Sequence, residues 1–460
     1  MDMEKRFSSV ARKIRRSPIR LVMQQASGIE GLAKLGGGQP QSELFPIGPS
    51  AIEVEITHYP ENHAGPAKKK VSAPLGDIVL NYNCQTYNKG LPFLLAWIKR
   101  HVQKYHRPKI GSSDVCVTSG STDALNKCVQ LLTAPGDIIL SAEYCYTGIL
   151  VSPRAHGRCV VGVRMDENGI LPESLDEVCT SKASAGTKAK MLYIVPTGQN
   201  PTGSTMPLKR RRRVYEICRK HDLIIIEDDP YFFLQMNPYR RELAEGTTRG
   251  DVGADEKIER TPSFLSIDTD GRVIRLDSFS KTIAPGFRLG YVTGPSVFVE
   301  KLDQMNQVTT WSSSGIAQTV LAALLDGWGE SGFESHVRSL RRTYEIRRNA
   351  LLDAMEKNLR GTIASWSPPS AGMFVWIRFN GVRDTRDCVD LILKAKVVMI
   401  PGGSFQPDSD RPCPYFRATF ATAPIESFEK AMTRLASALK AYERRRKERA
   451  SGTGTSKYGE

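Results

Sequence analysis

From Asp114 onward the chain alternates short apolar runs with helical stretches, and this alternation constrains its fold more than any other feature. The runs lie at 115–118, 137–141, 190–196, 223–231 and 273–276. Strands separated by helices argue an α/β class with a largely parallel sheet, because parallel neighbours need a crossover connection. In such open sheets, ligands sit outside the carboxyl ends of the strands. Every group of chemical interest falls at one of those ends. Run 115–118 leads into Ser119-Gly120-Ser121, run 137–141 into Tyr144 and Tyr146, and run 190–196 into Asn200-Pro201-Thr202-Gly203. Run 223–231 closes on Asp228-Asp229-Pro230-Tyr231, and run 273–276 delivers Ser278-Phe279-Ser280-Lys281 and then Arg288.

Lys281 directly follows a strand and is flanked by hydroxyls and a second cation. A neighbouring positive charge lowers an amine's pKa, which makes the neutral nucleophile accessible for imine chemistry. Ser119, Gly120 and Ser121 precede a helix expected over 123–132, whose unpaired N–H groups and positive end suit an anion. Ser278, Ser280 and Arg288 extend that cradle. Asp228, at the end of an apolar strand, is placed to hold a proton on a ring nitrogen, which makes the ring an electron sink. Asn200 and Tyr231 suit a ring hydroxyl, and Tyr146 suits stacking on a ring face. Taken singly, these features read as a surface turn, an ordinary N-cap and a structural or metal-binding acid. Together they describe a receptor for a phosphorylated aromatic aldehyde. No histidine stands near Asp228 in sequence to complete a metal set, so no metal is expected.

The 460 residues suffice for a large core and are expected to form two lobes. No apolar run approaches the ~20 residues of a membrane span, and the first stretch lacks the apolar segment of a secretory signal. A net charge of +15 raises nucleic acid as a partner. The densest basic run, 209–213, opens a stretch in which Val214, Ile217 and Cys218 recur at helical spacing. Its arginines are therefore expected on the solvated face of a helix, with no aromatic residues interleaved. Neither nucleic acid nor membrane is expected as a partner. Nine cysteines scattered without a C-x-x-C pair fit a reduced compartment, so a cytoplasmic location is expected. The glycines 36–38 form a loop where backbone approaches a ligand closely. Residues 49–74, rich in Pro, His and Lys, are read as an inserted loop without periodicity. The basic 444–449 reads as a helix end, with a disordered tail at 451–460.

Asn200-Pro201-Thr202-Gly203, Asp228-Asp229-Pro230-Tyr231, Ser278-Phe279-Ser280-Lys281 and Phe416-Arg417, in that order, resemble the pyridoxal-phosphate-dependent aminotransferases of fold type I. The chain is most similar to the aromatic amino acid / 2-aminoadipate / kynurenine aminotransferase group, from about residue 17 to 442. The resemblance implies pyridoxal 5'-phosphate as cofactor, with Lys281 as the imine-forming lysine and Asp228 as the partner of the ring nitrogen. Asn200 and Tyr231 match the ring-hydroxyl contacts, Tyr146 the stacking tyrosine, and Ser119, Gly120, Ser121, Ser278, Ser280 and Arg288 the phosphate cup. Tyr82 matches a tyrosine lent to the neighbouring subunit's site, which implies a homodimer. On the substrate side, Arg417 matches the arginine for the α-carboxylate, joined by Asn200, Gly38 and Phe374. Arg20 falls in a movable lid and is expected to pair a second carboxylate.

The implied organisation has five parts. They are an N-terminal arm (1–40), a loop-rich insertion (41–79), a large cofactor-binding domain (80–305), a smaller α/β domain (306–442) and a basic end (443–460). The large domain is expected to hold a mixed, mostly parallel seven-stranded sheet between helices. The smaller domain is expected to carry Arg417 and to pack with the arm. Residues 371–377 resemble a family strand in which pattern alone assigns Phe374 and Trp376 to the core. The implied activity moves an amino group from an aromatic or related bulky amino acid to a 2-oxo acid such as 2-oxoglutarate in ping-pong fashion. A C–S β-lyase on the same scaffold is the alternative. A ligand-binding regulator is disfavoured, because only a short arm precedes the glycine loop. Tyr144, where a proline is usual, and Gln199 depart from the family pattern, as does the 49–74 insertion.

Overall fold

The structure, a computed structural model, describes residues 1–15, 51–58, 67–76, 79, 89–240 and 259–450. Arg20, Gly38, Tyr82 and the 451–460 tail lie outside the described residues.

The stretch expected as an inserted loop instead contains a hairpin. β1 (Ala51–His58) and β2 (Ala67–Pro74) pair antiparallel with Val54 opposite Val71. Ile52, Val54 and Ile56 alternate with Glu53 and Glu55, a period of two that the flanking prolines and lysines mask. The glutamates meet lysines across the pair, Glu55 with Lys68 at 3.1 Å and Glu53 with Lys70 at 3.3 Å. Ile56 is buried, and the Trp328 indole N–H donates to the Thr57 carbonyl at 2.9 Å.

The apolar runs form the central sheet. β3 (Ser113–Thr118), β4 (Ile138–Ala142) and β5 (Cys159–Val163) are followed by a minimal hairpin of β6 (Met165–Asp166) and β7 (Gly169–Ile170). Then come β8 (Ala189–Ile194), β9 (Ile224–Asp228), β10 (Val273–Ser278) and β11 (Gly290–Pro295). Seven of these pair in the order β3-β11-β10-β9-β8-β4-β5. All neighbours are parallel except β11, which runs antiparallel to β10 and β3. This is the expected mixed, mostly parallel α/β sheet. Strand alternation sorts its side chains into two apolar layers. Ile225 joins Leu192 and Val273 in one, whereas Ile224 and Ile226 join Met191 and Ile274 in the other. At ~1.5–3 kcal/mol for each fully buried aliphatic side chain, these layers fix the register of the strand ends.

A second sheet is built from β12 (Ala364–Trp366), β13 (Phe374–Phe379), β14 (Ile400–Pro401) and β15 (Tyr415–Thr419). It is antiparallel throughout, in the order β12-β13-β15-β14. The helix Gly315–Leu359, broken at Gly329, serves both lobes. Its Leu321, Leu325, Phe333 and Val337 pack into the large lobe, while Leu351, Leu352, Met355 and Leu359 pack beneath the second sheet.

Of the arm expected to pack with the small domain, residues 1–15 are described and lie on the large lobe, and residues 16–40 lie outside the described residues. Met3, Phe7 and Ala11 are buried in one apolar cluster with Leu131, Leu132 and Phe298 of the large lobe, and the Ser8 N–H donates to the Leu131 carbonyl at 2.7 Å. Among the arginines of 209–213, Arg211 is fully buried rather than solvated. It shares the inward stripe of helix Leu208–Lys220 with Val214, Tyr215 and Cys218. It donates to the carbonyls of Met206 (2.9 Å), Pro196 and Pro262 (both 3.1 Å) and to Thr197 Oγ1 (3.1 Å). Finally, Phe374 and Trp376 are only half-buried, and Val375, Ile377 and Phe379 are the core residues of β13. Alternation turns Phe374 and Trp376 to the other face.

Candidate active site

Because their strands are parallel, the ends of β3, β4, β8, β9 and β10 share one edge of the sheet. Asp228 ends β9 and is 5% exposed. Its Oδ2 accepts from the Tyr193 hydroxyl at 2.8 Å, while Oδ1 is buried with no hydrogen-bond partner among the described residues. Burial pushes the Asp228 carboxyl up to about 7; the Tyr193 bond opposes this, and the Asp229 and Asp277 carboxylates add to it.

A buried ion cluster occupies the opposite face of the same strands. Arg275, wholly buried, pairs with Asp277 at 2.9 Å, Glu227 at 3.1 Å and Asp229 at 3.3 Å. Glu227 also accepts the Phe264 and Leu265 N–H groups at 2.7 and 3.1 Å. Burial works against the guanidinium charge, but the Asp277, Glu227 and Asp229 carboxylates outweigh it and hold Arg275 cationic. The excess negative charge in turn bears on Asp228.

Lys281 follows β10 by three residues and is half-buried. Burial lowers its pKa below the ordinary amine value, and the nearby Arg288 and Arg417 charges lower it further. The Ser280 N–H donates to Ser278 Oγ at 3.1 Å, and Arg288 Nη1 donates to the Pro285 carbonyl at 3.2 Å and to Ser280 Oγ at 3.4 Å. Gly120 meets Arg288 backbone to side chain. It has φ +89°, and a Cβ there would stand 2.7 Å from Arg288 Nη2. Beside it, Ser121 opens the helix Ser121–Leu132, with its Oγ buried and unpartnered among the described residues. Ser119 Oγ lies 3.4 Å from Ser313 Oγ.

On the second sheet, Arg417 pairs with Trp376 in the β13–β15 ladder. Its guanidinium carbon sits 4.4 Å from the Phe374 ring centroid and 4.8 Å from that of Phe405. Arg417 Nη1 donates to Asn200 Oδ1 at 2.8 Å, which leaves the Asn200 amide N–H groups to face a ligand. Tyr231 is buried and edge-on to Phe374 at 6.1 Å. Tyr146 precedes the helix Thr147–Ala155, and its ring lies so close to Gly148 that a Cβ there would clash with it. The two departures noted in sequence are linked, since Gln199 Nε2 donates to the Tyr144 carbonyl at 2.8 Å and joins the loop of Asn200 to that of Tyr146. The Tyr144 ring packs on Trp376 and Tyr415 of the second sheet.

Residues 66–435 match the family model described as aminotransferase class I and II. The chain belongs to that family. The enzyme is 36% identical to the mitochondrial kynurenine/alpha-aminoadipate aminotransferase of Bos taurus, over 94% of this chain and 97% of the relative. It is also 36% identical to an L-tyrosine:2-oxoglutarate aminotransferase of Tapinella panuoides, over 83% of this chain and 74% of the relative. The crystal structure of aminotransferase Aro8 from Candida albicans superposes with a TM-score of 0.85 at 29% identity, covering 96% of this chain and 98% of that one. The chain is thus a pyridoxal-phosphate-dependent aminotransferase.

The aminotransferase's own atoms fit that cofactor. The orphaned Asp228 Oδ1 is an acceptor of the kind a protonated ring nitrogen requires, and the orphaned Ser121 Oγ is a donor of the kind a phosphate oxygen requires. The structure brings together Asp228, Lys281, Asn200, Arg417 and the serine–arginine cradle. Sequence reasoning missed Tyr193. Its only signal is register: Tyr193 pairs with Ile226 in the β8–β9 ladder, two residues before Asp228 and on the same face. A single strand read alone cannot reveal that pairing.

Proposed function

We propose that this aminotransferase moves the amino group of an aromatic or similarly bulky L-amino acid to 2-oxoglutarate. The observation that carries the reading is the Arg417 guanidinium held between the Phe374 and Phe405 rings. A carboxylate anchor flanked by apolar rings suits a substrate whose other end is aromatic. The names of the two relatives support the same donor and acceptor classes.

When bound, pyridoxal phosphate supplies an aldehyde for imine exchange and a ring that takes up the electron pair left at the substrate α-carbon. Ser119, Gly120, Ser121, Ser278, Ser280 and Arg288 hold its phosphate. Tyr146 covers one ring face, Asn200 and Tyr231 serve the ring hydroxyl, and Asp228 holds the ring-nitrogen proton. Arg417 fixes the substrate α-carboxylate. Burial and the nearby Arg288 and Arg417 charges lower the Lys281 pKa and so favour its free amine, which takes the α-proton on Nζ and returns it one carbon along. Gly38 and Arg20, outside the described residues, complete the substrate side, with Arg20 assigned to the second carboxylate of the acceptor.

Assembly as a homodimer through Tyr82 belongs to the same proposal, and a catalytically competent monomer by light scattering would remove it. The eight described cysteines are all free, which supports a reducing, cytoplasmic compartment. A donor panel with 2-oxoglutarate tests the reading. Phenylalanine, tyrosine, tryptophan, kynurenine or 2-aminoadipate should outpace alanine and aspartate, and a preference for alanine or aspartate would refute it.

A further inference from the structure

Among the polar groups of the site, Tyr193 stands out because no step assigned above uses it. It lies on β8 and is 1% exposed. Its hydroxyl makes a 2.8 Å hydrogen bond to Asp228 Oδ2, and the other carboxylate oxygen has no partner among the described residues. A carboxylate with one oxygen held and one vacant is fixed in rotation about its terminal bond. We propose that Tyr193 is the positioning residue of the ring-nitrogen site, holding Asp228 as a carboxylate with Oδ1 presented to the protonated ring nitrogen of the cofactor. The inference rests on the assignment of Asp228 as that nitrogen's partner.

The surroundings explain why such a donor is needed. Asp228 lies within reach of the Asp229 and Asp277 carboxylates, the Arg275 guanidinium and the Tyr193 phenol, and it acts in turn on the Tyr231 phenol and the Cys128 thiol. Burial and the two acids favour the protonated carboxyl. A carboxyl that keeps its proton would donate a hydrogen bond to an unprotonated ring nitrogen instead of accepting one from a protonated nitrogen, and the ring would lose its pull on electrons. Arg275 opposes protonation only from the far face, where three other carboxylates share it. Tyr193 is the direct donor to Asp228. Burial and the adjacent Asp228 charge hold its own pKa well above the ordinary phenol value, so it remains a donor at any working pH.

The test uses the holoenzyme loaded with pyridoxal phosphate carrying ¹⁵N in the ring. The ¹⁵N chemical shift reports whether that nitrogen is protonated. The unmodified protein should show a pyridinium signal. Tyr193→Phe should move it toward the unprotonated position, and p-aminophenylalanine at 193, a weaker donor of the same shape, should move it part-way. The apoenzyme's affinity for pyridoxal phosphate should fall about tenfold in Tyr193→Phe, the scale of one lost hydrogen bond to a charged group. Asp228→Asn serves as the reference. If it shifts the ¹⁵N signal while both Tyr193 variants leave it unchanged, the proposal for Tyr193 is wrong. If Asp228→Asn leaves the signal unchanged, the assignment of Asp228 fails first and the proposal falls with it. Should Tyr193→Phe not fold, the p-aminophenylalanine protein alone decides.

Discussion

Asp228→Asn should uncouple stability from function in the apoenzyme. Asp228 is 5% exposed, and its carboxyl rises from the ordinary 3.8 to about 7 in the folded chain. A folded value above the unfolded one means that Asp228 favours the fold most fully below pH 4, and that this contribution is lost as pH climbs through 7. At ~1.4 kcal/mol for each pH unit between the two values, the loss is roughly 1.7 kcal/mol by pH 5 and roughly 4.3 kcal/mol by pH 8. Asparagine does not titrate. Between pH 5 and pH 8 the variant should therefore gain about 2.5 kcal/mol on the unmodified apoenzyme. With an unfolding entropy of ~2.1 cal/mol/K per residue, a chain of 460 residues moves about 1 °C per kcal/mol. The difference in melting temperature between the two apoproteins should thus grow by about 2–3 °C over that interval, read by scanning calorimetry. Added pyridoxal phosphate should reverse the ranking at pH 8, because only the carboxylate can pair with a protonated ring nitrogen. Melting curves of the two apoproteins that stay parallel from pH 5 to pH 8 would refute the account of Asp228 as a carboxyl raised by burial.

The other predictions follow from single contacts. Lys281→Ala should abolish transamination and the visible absorbance of lysine-linked cofactor, and normal turnover in that variant would remove Lys281 from its role. Arg417→Ala should cost about 2–4 kcal/mol in kcat/KM in both half-reactions, since every substrate brings an α-carboxylate; stopped-flow traces showing loss in only one half would reassign it. Gly120→Ala places a Cβ 2.7 Å from Arg288 Nη2 at a φ of +89°, so cofactor retention on dialysis should drop while activity in saturating cofactor partly recovers. Arg211→Met removes a donor from three carbonyls and Thr197 Oγ1 and should destabilise the protein by about 3 kcal/mol or more in urea, against under about 0.5 kcal/mol for exposed Arg212→Met.

Local sequence determined a great deal about this enzyme. Apolar runs bounded by helices fixed the parallel sheet, and the rule that ligands gather at strand ends placed Ser119, Asn200, Asp228 and Lys281 on one edge before any coordinates. These are properties of single segments and their order along the chain. What only the tertiary structure decided are properties of pairs. Tyr193 reaches Asp228 because β8 and β9 lie side by side in one register, and Arg417 reaches Asn200 although it stands 217 positions further along the chain. Arg211 reads as one more solvated arginine until the carbonyls of Met206, Pro196 and Pro262 close around it. Strand β1 carried its period of two in the sequence, yet Ile56 finds burial in an apolar cluster that includes Trp328 of a distant helix. Burial and hydrogen bonding are set by what arrives from elsewhere in the chain. A residue type can therefore announce its chemistry alone, but its charge state and its partner wait for the fold.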